Sequence, residues 1–154
     1  MKILLATACG AKKNMGKMPA LDLYKSSRIK AVYNRRNDAD FAVLSAKHGL
    51  IYPDTFIKHY ESILDSKGAK KLLPKVTDFI KNYDAVVFFK GGSRQEYRDL
   101  IKQAASEINK PIILIGNRNQ EDIGKLEEVI LECTQGRFKE IENIAPSIEI
   151  YNLP

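Results

Sequence analysis

The segment Ser45-Ala46-Lys47-His48-Gly49 places three kinds of reactive side chain within four residues. Ser45 offers a hydroxyl, Lys47 a fixed positive charge, and His48 an imidazole that titrates near neutral pH. His48 is therefore a candidate general acid or base, with Ser45 and Lys47 as candidate catalytic partners. The same residues also fit a structural histidine in a tight turn, and the sequence by itself favours neither interpretation.

A second polar segment, Cys9-Gly10-Ala11-Lys12-Lys13, follows the first apolar run of the chain. Lys12 and Lys13 have the charge to neutralise a phosphate, and Cys9 is a candidate nucleophile as a thiolate beside a cation. The alternative for Cys9 is a small, half-buried residue at the end of a strand. The segment matches neither a P-loop nor the glycine fingerprint of a dinucleotide site, so we predict no bound cofactor.

Two further segments fit an anion-binding turn at the start of a helix. Gly91 and Gly92 precede a predicted helix whose free N–H groups suit a phosphate, whereas the alternative is a plain turn capped by Ser93. Ser26, Ser27 and Arg28 stand at the start of an earlier helix and are candidates for phosphate binding, whereas the alternative is a serine cap followed by a solvated charge. These four segments can form one site where the fold brings them close together.

Short apolar strands and amphipathic helices alternate along the chain and must position these residues. The predicted strands are residues 2–7, 40–46, 84–90 and 111–116, with 147–151 as a candidate edge strand. The predicted helices lie at about 21–36, 67–82, 94–108 and 119–133. The segment 56–64 is ambiguous between strand and helix.

This alternation predicts a three-layer, Rossmann-like α/β fold. We expect a mostly parallel sheet of four to five strands with helices on both faces, in one domain that spans residues 1–154. In such a sheet, ligands bind outside the carboxyl ends of the strands. Polar or glycine-bearing segments follow all four predicted strands, at residues 8–13, 45–50, 90–93 and 116–119, so the carboxyl edge of the sheet is the predicted site.

Charge and composition limit the partners. Residues 1–80 contain 15 Lys and Arg against 7 Asp and Glu, a net charge of +8, whereas residues 81–154 have a net charge of −2. The basic half favours an anionic partner, either a phosphorylated small molecule or a nucleic acid, although a solvated lysine-rich surface also explains it. A zinc cage of four thiolate and imidazole ligands would need both cysteines and both histidines of the chain, and acidic residues are scattered, so we predict no metal site.

No apolar run approaches the length of a membrane-spanning helix, and the N-terminal run is too short for a signal peptide. The sequence therefore predicts a cytoplasmic protein without a membrane partner. The oligomeric state is not predicted by any feature of the chain.

Three motifs resemble a family of small bacterial and archaeal proteins of unknown function. They are Cys-Gly-x-Lys-Lys at 9–13, Pro-Ala-x-x-Leu-Tyr-x-Ser-Ser at 19–27, and Leu-Ser-Ala-Lys-His-Gly-Leu-Ile-x-Pro at 44–53. The last motif is the most specific, and residues 92–97 match a later Gly-x-x-Tyr element more loosely. The resemblance covers about residues 1–100. It implies site roles for Cys9, Lys12, Lys13, Tyr24, Ser26, Ser45, Lys47 and His48.

That family is distantly similar to the YaaA peroxide-stress proteins and to a domain of archaeal enzymes that modify tRNA with 7-deazaguanine bases. The resemblance implies a nucleobase, nucleotide or nucleic-acid ligand. Two hypotheses follow. In the first, the protein binds a nucleotide-like or nucleobase-like molecule at the strand ends, either as a binding protein or as an enzyme that acts on a glycosidic bond. In the second, it binds nucleic acid without catalysing a reaction, in the response to DNA damage or oxidative stress.

Overall fold

The computed structural model describes all 154 residues, and its centre is a six-stranded sheet. The four inner strands are parallel, and the two edge strands are antiparallel to their neighbours. The inner strands are β1 (Ile3–Ala8), β3 (Asp40–Ser45), β6 (Ala85–Phe89) and β7 (Ile112–Ile115). The edge strands are β4 (Gly49–Ile51) and β8 (Glu149–Tyr151). The mostly parallel α/β sheet agrees with the sequence prediction, but it has six strands rather than four or five.

The extra strand, β4, arises because the chain reverses after β3. The turn at residues 46–48 returns the chain so that Leu50 pairs with Leu44 and Gly49 with Ser45. Gly49 has a φ of +72°, which a residue without a Cβ adopts at little cost. The motif that contains His48 is therefore the tight turn of a β-hairpin at one edge of the sheet.

The order of strands across the sheet is β4-β3-β1-β6-β7-β8. The chain runs from β1 to β3 on one side and then crosses over to β6 on the other side. The carboxyl ends of β1 and β6 therefore lie at a topological switch point, where the connections leave in opposite directions. A crevice opens at such a point, and open parallel sheets bind their ligands there.

Helices pack on both faces of the sheet. Successive residues of β1 alternate, so that Leu5 belongs to one buried cluster and Leu4 to the other. On the face of Leu5 lie α2 (Ser27–Asn34), α5 (Leu126–Thr134) and α6 (Phe138–Ile141). On the face of Leu4 lie α3 (Ser66–Ile80) and α4 (Gln95–Glu107). This burial on both faces explains why the inner strands are almost continuously apolar.

A small second sheet is separate from the main one. It pairs β2 (Lys17–Pro19) with β5 (Phe56–Lys58) in antiparallel fashion, next to the short helix α1 (Ala20–Leu23). The ambiguous segment 56–64 is thus a short strand followed by irregular chain. The predicted helix at 21–36 is divided into α1 and α2, because residues 24–26 are not helical.

The two predicted serine caps have different outcomes. Ser26 is the N-cap of α2, and its hydroxyl accepts a hydrogen bond from the Ile29 N–H, so that prediction is confirmed. Ser93 does not cap α4, because its hydroxyl donates to the carbonyl of Lys90 at 2.6 Å and Arg94 occupies the N-cap position. The amino end of α4 therefore has no side-chain cap.

The longest helix, α3, has 15 residues, and none of the helices combines the length and the apolar character that crossing a bilayer demands.

Candidate functional site

Two neighbouring cavities lie along the carboxyl edge of the parallel strands. The switch-point cavity has a volume of about 340 Å³ and is lined by residues 8–11, Arg28, residues 62–63, residues 92–94 and Tyr97. The β6–β7 cavity has a volume of about 430 Å³ and is lined by residues 90–93, Arg98 and residues 116–118. Gly92 and Ser93 line both cavities, so the two cavities share a wall, and together they are called the cleft. A larger hollow between α6 and β8 lies away from these strand ends.

Arg28 is the central cation of the switch-point cavity. It projects from the first turn of α2, and its Nη1 donates to the Thr7 hydroxyl at 2.6 Å and to the Ala8 carbonyl at 2.9 Å. Thr7 is fully buried and donates in turn to the Phe89 carbonyl, which joins β1 to β6. These bonds hold the guanidinium at the carboxyl end of β1.

No carboxylate balances the charge of Arg28. None of the six ion pairs of the protein includes this residue, and neither cavity is lined by Asp or Glu. Burial lowers the pKa of the guanidinium, although an arginine remains charged at neutral pH. A partly buried cation without a carboxylate partner is only incompletely compensated, so a site of this kind favours an anionic ligand.

Cys9 and Tyr97 face the same cavity. The Cys9 sulfur and the Tyr97 hydroxyl lie 3.3 Å apart. Burial raises the pKa of Tyr97, and Cys9 beside it adds to the effect, so the phenol is protonated at neutral pH. Its O–H group can therefore donate a hydrogen bond to a ligand or to the sulfur.

The turn after β6 requires glycine for steric reasons. A Cβ on Gly91 would lie 2.3 Å from the Asn117 carbonyl oxygen and 2.8 Å from the Phe89 ring. Gly92 has a φ of +75° and lies against Arg28, whose Nε would be 3.5 Å from a Cβ at that position. The backbone of this turn thus forms the wall between the two cavities.

A buried chain of hydroxyl groups lies behind Cys9. The Tyr60 hydroxyl is 2.6 Å from that of Tyr24 and 2.7 Å from that of Ser45. Ser45 also accepts hydrogen bonds from the backbone N–H groups of Lys47 and His48, which closes the β3–β4 turn. Burial raises the pKa of Tyr24 to about 12, and Cys9 contributes to this shift. Ser45 is completely buried, so its main contribution in the structure is to hold the turn.

Two predicted site residues stand beside this hydroxyl chain. Lys13 is buried, with its Nζ 4.5 Å from the centre of the Tyr60 ring and 3.2 Å from the Ala11 carbonyl oxygen. The His48 ring packs edge-on against Tyr60 at 5.5 Å between centroids. The His48 Nε2 is buried without a hydrogen-bond partner, and burial lowers the pKa of the imidazole. Both residues pack on Tyr60 but line neither cavity.

The structure thus divides the predicted site residues. Cys9, Gly91 and Gly92 line the cleft, and Lys13, Tyr24, Ser45 and His48 surround Tyr60 behind it. Lys12 and Lys47 are exposed, Ser26 caps α2, and Ser27 is exposed and accepts a hydrogen bond from Gln120. The catalytic roles predicted for His48, Ser45 and Lys47 stay predictions, and none of the three lines the cleft.

Arg28, from the helix start at 26–28 that was predicted to bind phosphate, lines the switch-point cavity. Tyr60, Tyr97 and Arg98 were not predicted as site residues, and the sequence carries only a partial signal for them. Tyr97 is the last residue of the Gly-x-x-Tyr element, but a single tyrosine does not reveal that it is buried. Arg98 lies one residue beyond the Gly-x-x-Tyr element, and Tyr60 lies in the ambiguous segment. Their roles depend on burial, which periodicity does not predict for single polar residues. Nowhere do three or more His, Cys, Asp or Glu side chains cluster as metal ligands do.

Residues 3–121 match the model of a protein family described as a family of unknown function, DUF6884. The matched region includes all four inner strands and every residue that lines the cleft. No curated protein and no solved structure matches the chain. Because the match covers more than half of the sequence, the chain belongs to the DUF6884 family.

Proposed function

We propose that the protein binds a nucleotide-like ligand in the switch-point cavity, with Arg28 as the anchor for its phosphate. The observation that carries the proposal is a partly buried guanidinium at a strand end that has no carboxylate partner. Arginine presents a planar set of N–H donors that matches phosphate oxygens. Ser93 and the glycine turn add polar groups next to it.

An apolar rim favours a ligand that also carries a flat, weakly polar part. Ile63 lines the cavity although 75% of its surface is exposed, and Ala8, Ala11 and Tyr97 contribute further apolar atoms. A nucleobase placed against Ile63 would cover this surface while the phosphate contacts Arg28. The cavity volume falls in the range of small-molecule sites.

The fold is consistent with this proposal. A mostly parallel sheet with helices on both faces and a crevice at the β1–β6 switch point is the arrangement of three-layer, Rossmann-like proteins, and we propose that the chain is one of them. In that arrangement nucleotides bind at the switch point.

Cleavage of a glycosidic bond has less support than binding. Enzymes that break such bonds generally use carboxylates to handle the proton and the positive charge on the sugar, and neither cavity contains one. The reactive groups that line the cavity are Cys9 and Tyr97, 3.3 Å apart. We therefore place binding first, and any chemistry would centre on this pair rather than on His48.

A thermal-shift titration tests the proposal. We would compare wild type, Arg28→Met and Arg35→Met against inorganic phosphate, nucleoside 5′-monophosphates, nucleosides and free bases. Arg35 is a matched control because it lies just after the same helix and is paired with Glu127. At a ligand concentration 100-fold above Kd, binding adds about 2.7 kcal/mol to the free energy of unfolding, roughly 5–10 °C in Tm.

We expect this shift with a 5′-monophosphate in wild type and in Arg35→Met, and its loss in Arg28→Met. An absence of any shift across the panel in wild type would contradict the proposal. Chromatography of the same mixtures would reveal a released base, and its formation in wild type but not in Cys9→Ala would establish glycosidic chemistry.

A further inference from the structure

The β6–β7 cavity has an unusual lining. None of its lining residues is hydrophobic, and it contains three basic side chains, Lys90, Arg98 and Arg118, with no acidic one. Two of its walls are glycine turns, at residues 91–92 and at Gly116, where a Cβ would lie 2.6 Å from the Phe89 ring. These glycines let the Phe89 ring pack directly against the backbone, and the cavity beside them, with a volume of about 430 Å³, has room for a phosphate group.

Arg98 is the most informative residue of this cavity. Its Nε is buried and has no hydrogen-bond partner, and no carboxylate forms an ion pair with its guanidinium. Buried donors in folded proteins almost always have acceptors. The oxygen of an anionic ligand in the cavity would supply the acceptor that the chain does not.

The other two cations differ in how they are balanced. Lys90 is only 11% exposed at its side chain and is paired with Glu149 from β8, so its charge is already compensated. Arg118 is exposed at the mouth of the cavity and has no acidic partner. Arg98 and Arg118 therefore leave an uncompensated positive charge of +2 at this end of the cleft.

We propose that the β6–β7 cavity is a second anion subsite of the same ligand. One phosphate-type group contacts Arg28, the chain of the ligand crosses the wall at Gly92 and Ser93, and a second such group contacts Arg98 and Arg118. The contact between the first phosphate group and Arg28 rests on the proposed function, whereas the contacts of the second group are argued from the β6–β7 cavity itself. The ligand class is a molecule with two separate phosphate groups, such as a nucleoside bisphosphate or a dinucleotide segment of a strand.

Arginine Nε–Hε signals in ¹⁵N NMR spectra report on the two subsites separately. Arg28→Met and Arg98→Met assign the two signals, and Arg35→Met is the control. The probes are inorganic phosphate, a nucleoside 5′-monophosphate, a nucleoside 3′,5′-bisphosphate and a 5′-phosphorylated dinucleotide. We expect the Arg98 signal to shift with inorganic phosphate in wild type and also in Arg28→Met.

We further expect the bisphosphate or the dinucleotide to bind at least tenfold more tightly than the monophosphate in wild type. Arg98→Met should abolish this gain without weakening the monophosphate. A stronger gain for the dinucleotide identifies a strand of nucleic acid as the source of the phosphates, whereas an equal gain identifies a small molecule.

The outcomes separate this inference from the proposed function. If the Arg28 signal shifts with the monophosphate and the Arg98 signal shifts with none of the probes, the inference of a second subsite is wrong and the proposed function stands. If the Arg98 signal shifts with inorganic phosphate but the Arg28 signal shifts with no nucleotide, the proposed function is wrong, and so is the inference that one ligand occupies both cavities. Equal affinities for one and two phosphate groups would also overturn the inference.

Discussion

At the scale of single residues, Arg28 illustrates how a residue proposed to bind a ligand differs from a structural one. Its two hydrogen bonds to β1 stabilise the fold, whereas burial of its unpaired charge opposes folding. We expect these contributions to offset each other, so that Arg28→Met changes the free energy of unfolding in the absence of ligand by no more than about 1 kcal/mol. Urea unfolding measures this change, and a loss of several kcal/mol would assign Arg28 to the fold rather than to a ligand.

Tyr60, in contrast to Arg28, is a residue whose hydroxyl group stabilises the fold. Its hydroxyl is the only group that joins Tyr24 to Ser45 in the buried hydroxyl chain. Tyr60→Phe leaves the Tyr24 hydroxyl without that partner, and we expect a loss of about 1–3 kcal/mol in the free energy of unfolding. Tyr52→Phe is the control because the Tyr52 ring is exposed and its hydroxyl bonds only to Tyr83. Equal stabilities of the two variants would contradict this role for Tyr60.

His48 makes stability depend on pH. Burial, with the charges of Lys47 and Lys75, lowers the pKa of His48 in the folded protein below the 6.5 of an unperturbed histidine. The unfolded chain therefore binds a proton first, and stability is complete above about pH 6.5 and falls as the pH drops below that value.

We expect the stability difference between wild type and His48→Gln to shrink from pH 7.5 to pH 5. Chemical unfolding at a series of pH values measures it. A difference that stays constant over this range would show that His48 titrates alike in the folded and unfolded states.

At the scale of elements, the turn between β6 and α4 decides the shape of the whole cleft. Gly91→Ala forces a Cβ against the Asn117 carbonyl and the Phe89 ring, so the loops after β6 and β7 must move apart. We expect a loss of about 1–3 kcal/mol in the free energy of unfolding together with a loss of ligand binding. Gly124→Ala is the matched control, since no atom lies within 4 Å of its added Cβ. Unfolding and thermal-shift titrations of both variants measure these effects, and normal behaviour of Gly91→Ala would contradict the packing argument.

At the scale of the whole molecule, the charge distribution keeps the nucleic-acid hypothesis open. The first 80 residues have a net charge of +8, and the cleft adds the unpaired cations Arg98 and Arg118. A protein that binds through phosphates loses affinity steeply with salt, with about one released counterion per contact. Anisotropy with a labelled 20-mer at about 50 mM and 200 mM salt measures this dependence. The hypothesis predicts at least a tenfold loss between the two, and absence of binding at the lower salt would rule it out.

The sequence by itself determined the class of fold and the edge of the sheet on which the two cavities of the candidate site lie. Apolar strands such as 84–90 and the amphipathic pattern of α4 depend on local periodicity, and burial on both faces makes that signal strong. The cap at Ser26 depends on one residue and its immediate neighbours, and it too was predicted correctly. The polar segments after strands were recognisable because strand ends in a parallel sheet share one edge.

Only the tertiary structure decided which of those polar residues face one another. Arg28 reaches Thr7 across 21 residues of sequence, Cys9 meets Tyr97 across 88, and neither pairing has a local pattern. The Ser-Ala-Lys-His motif looked like the centre of the site, yet its serine is occupied by the turn that it closes, because the chain reverses there into β4. Whether a polar side chain is satisfied by its own chain or left for a ligand depends on three-dimensional neighbours, and sequence spacing does not contain that information.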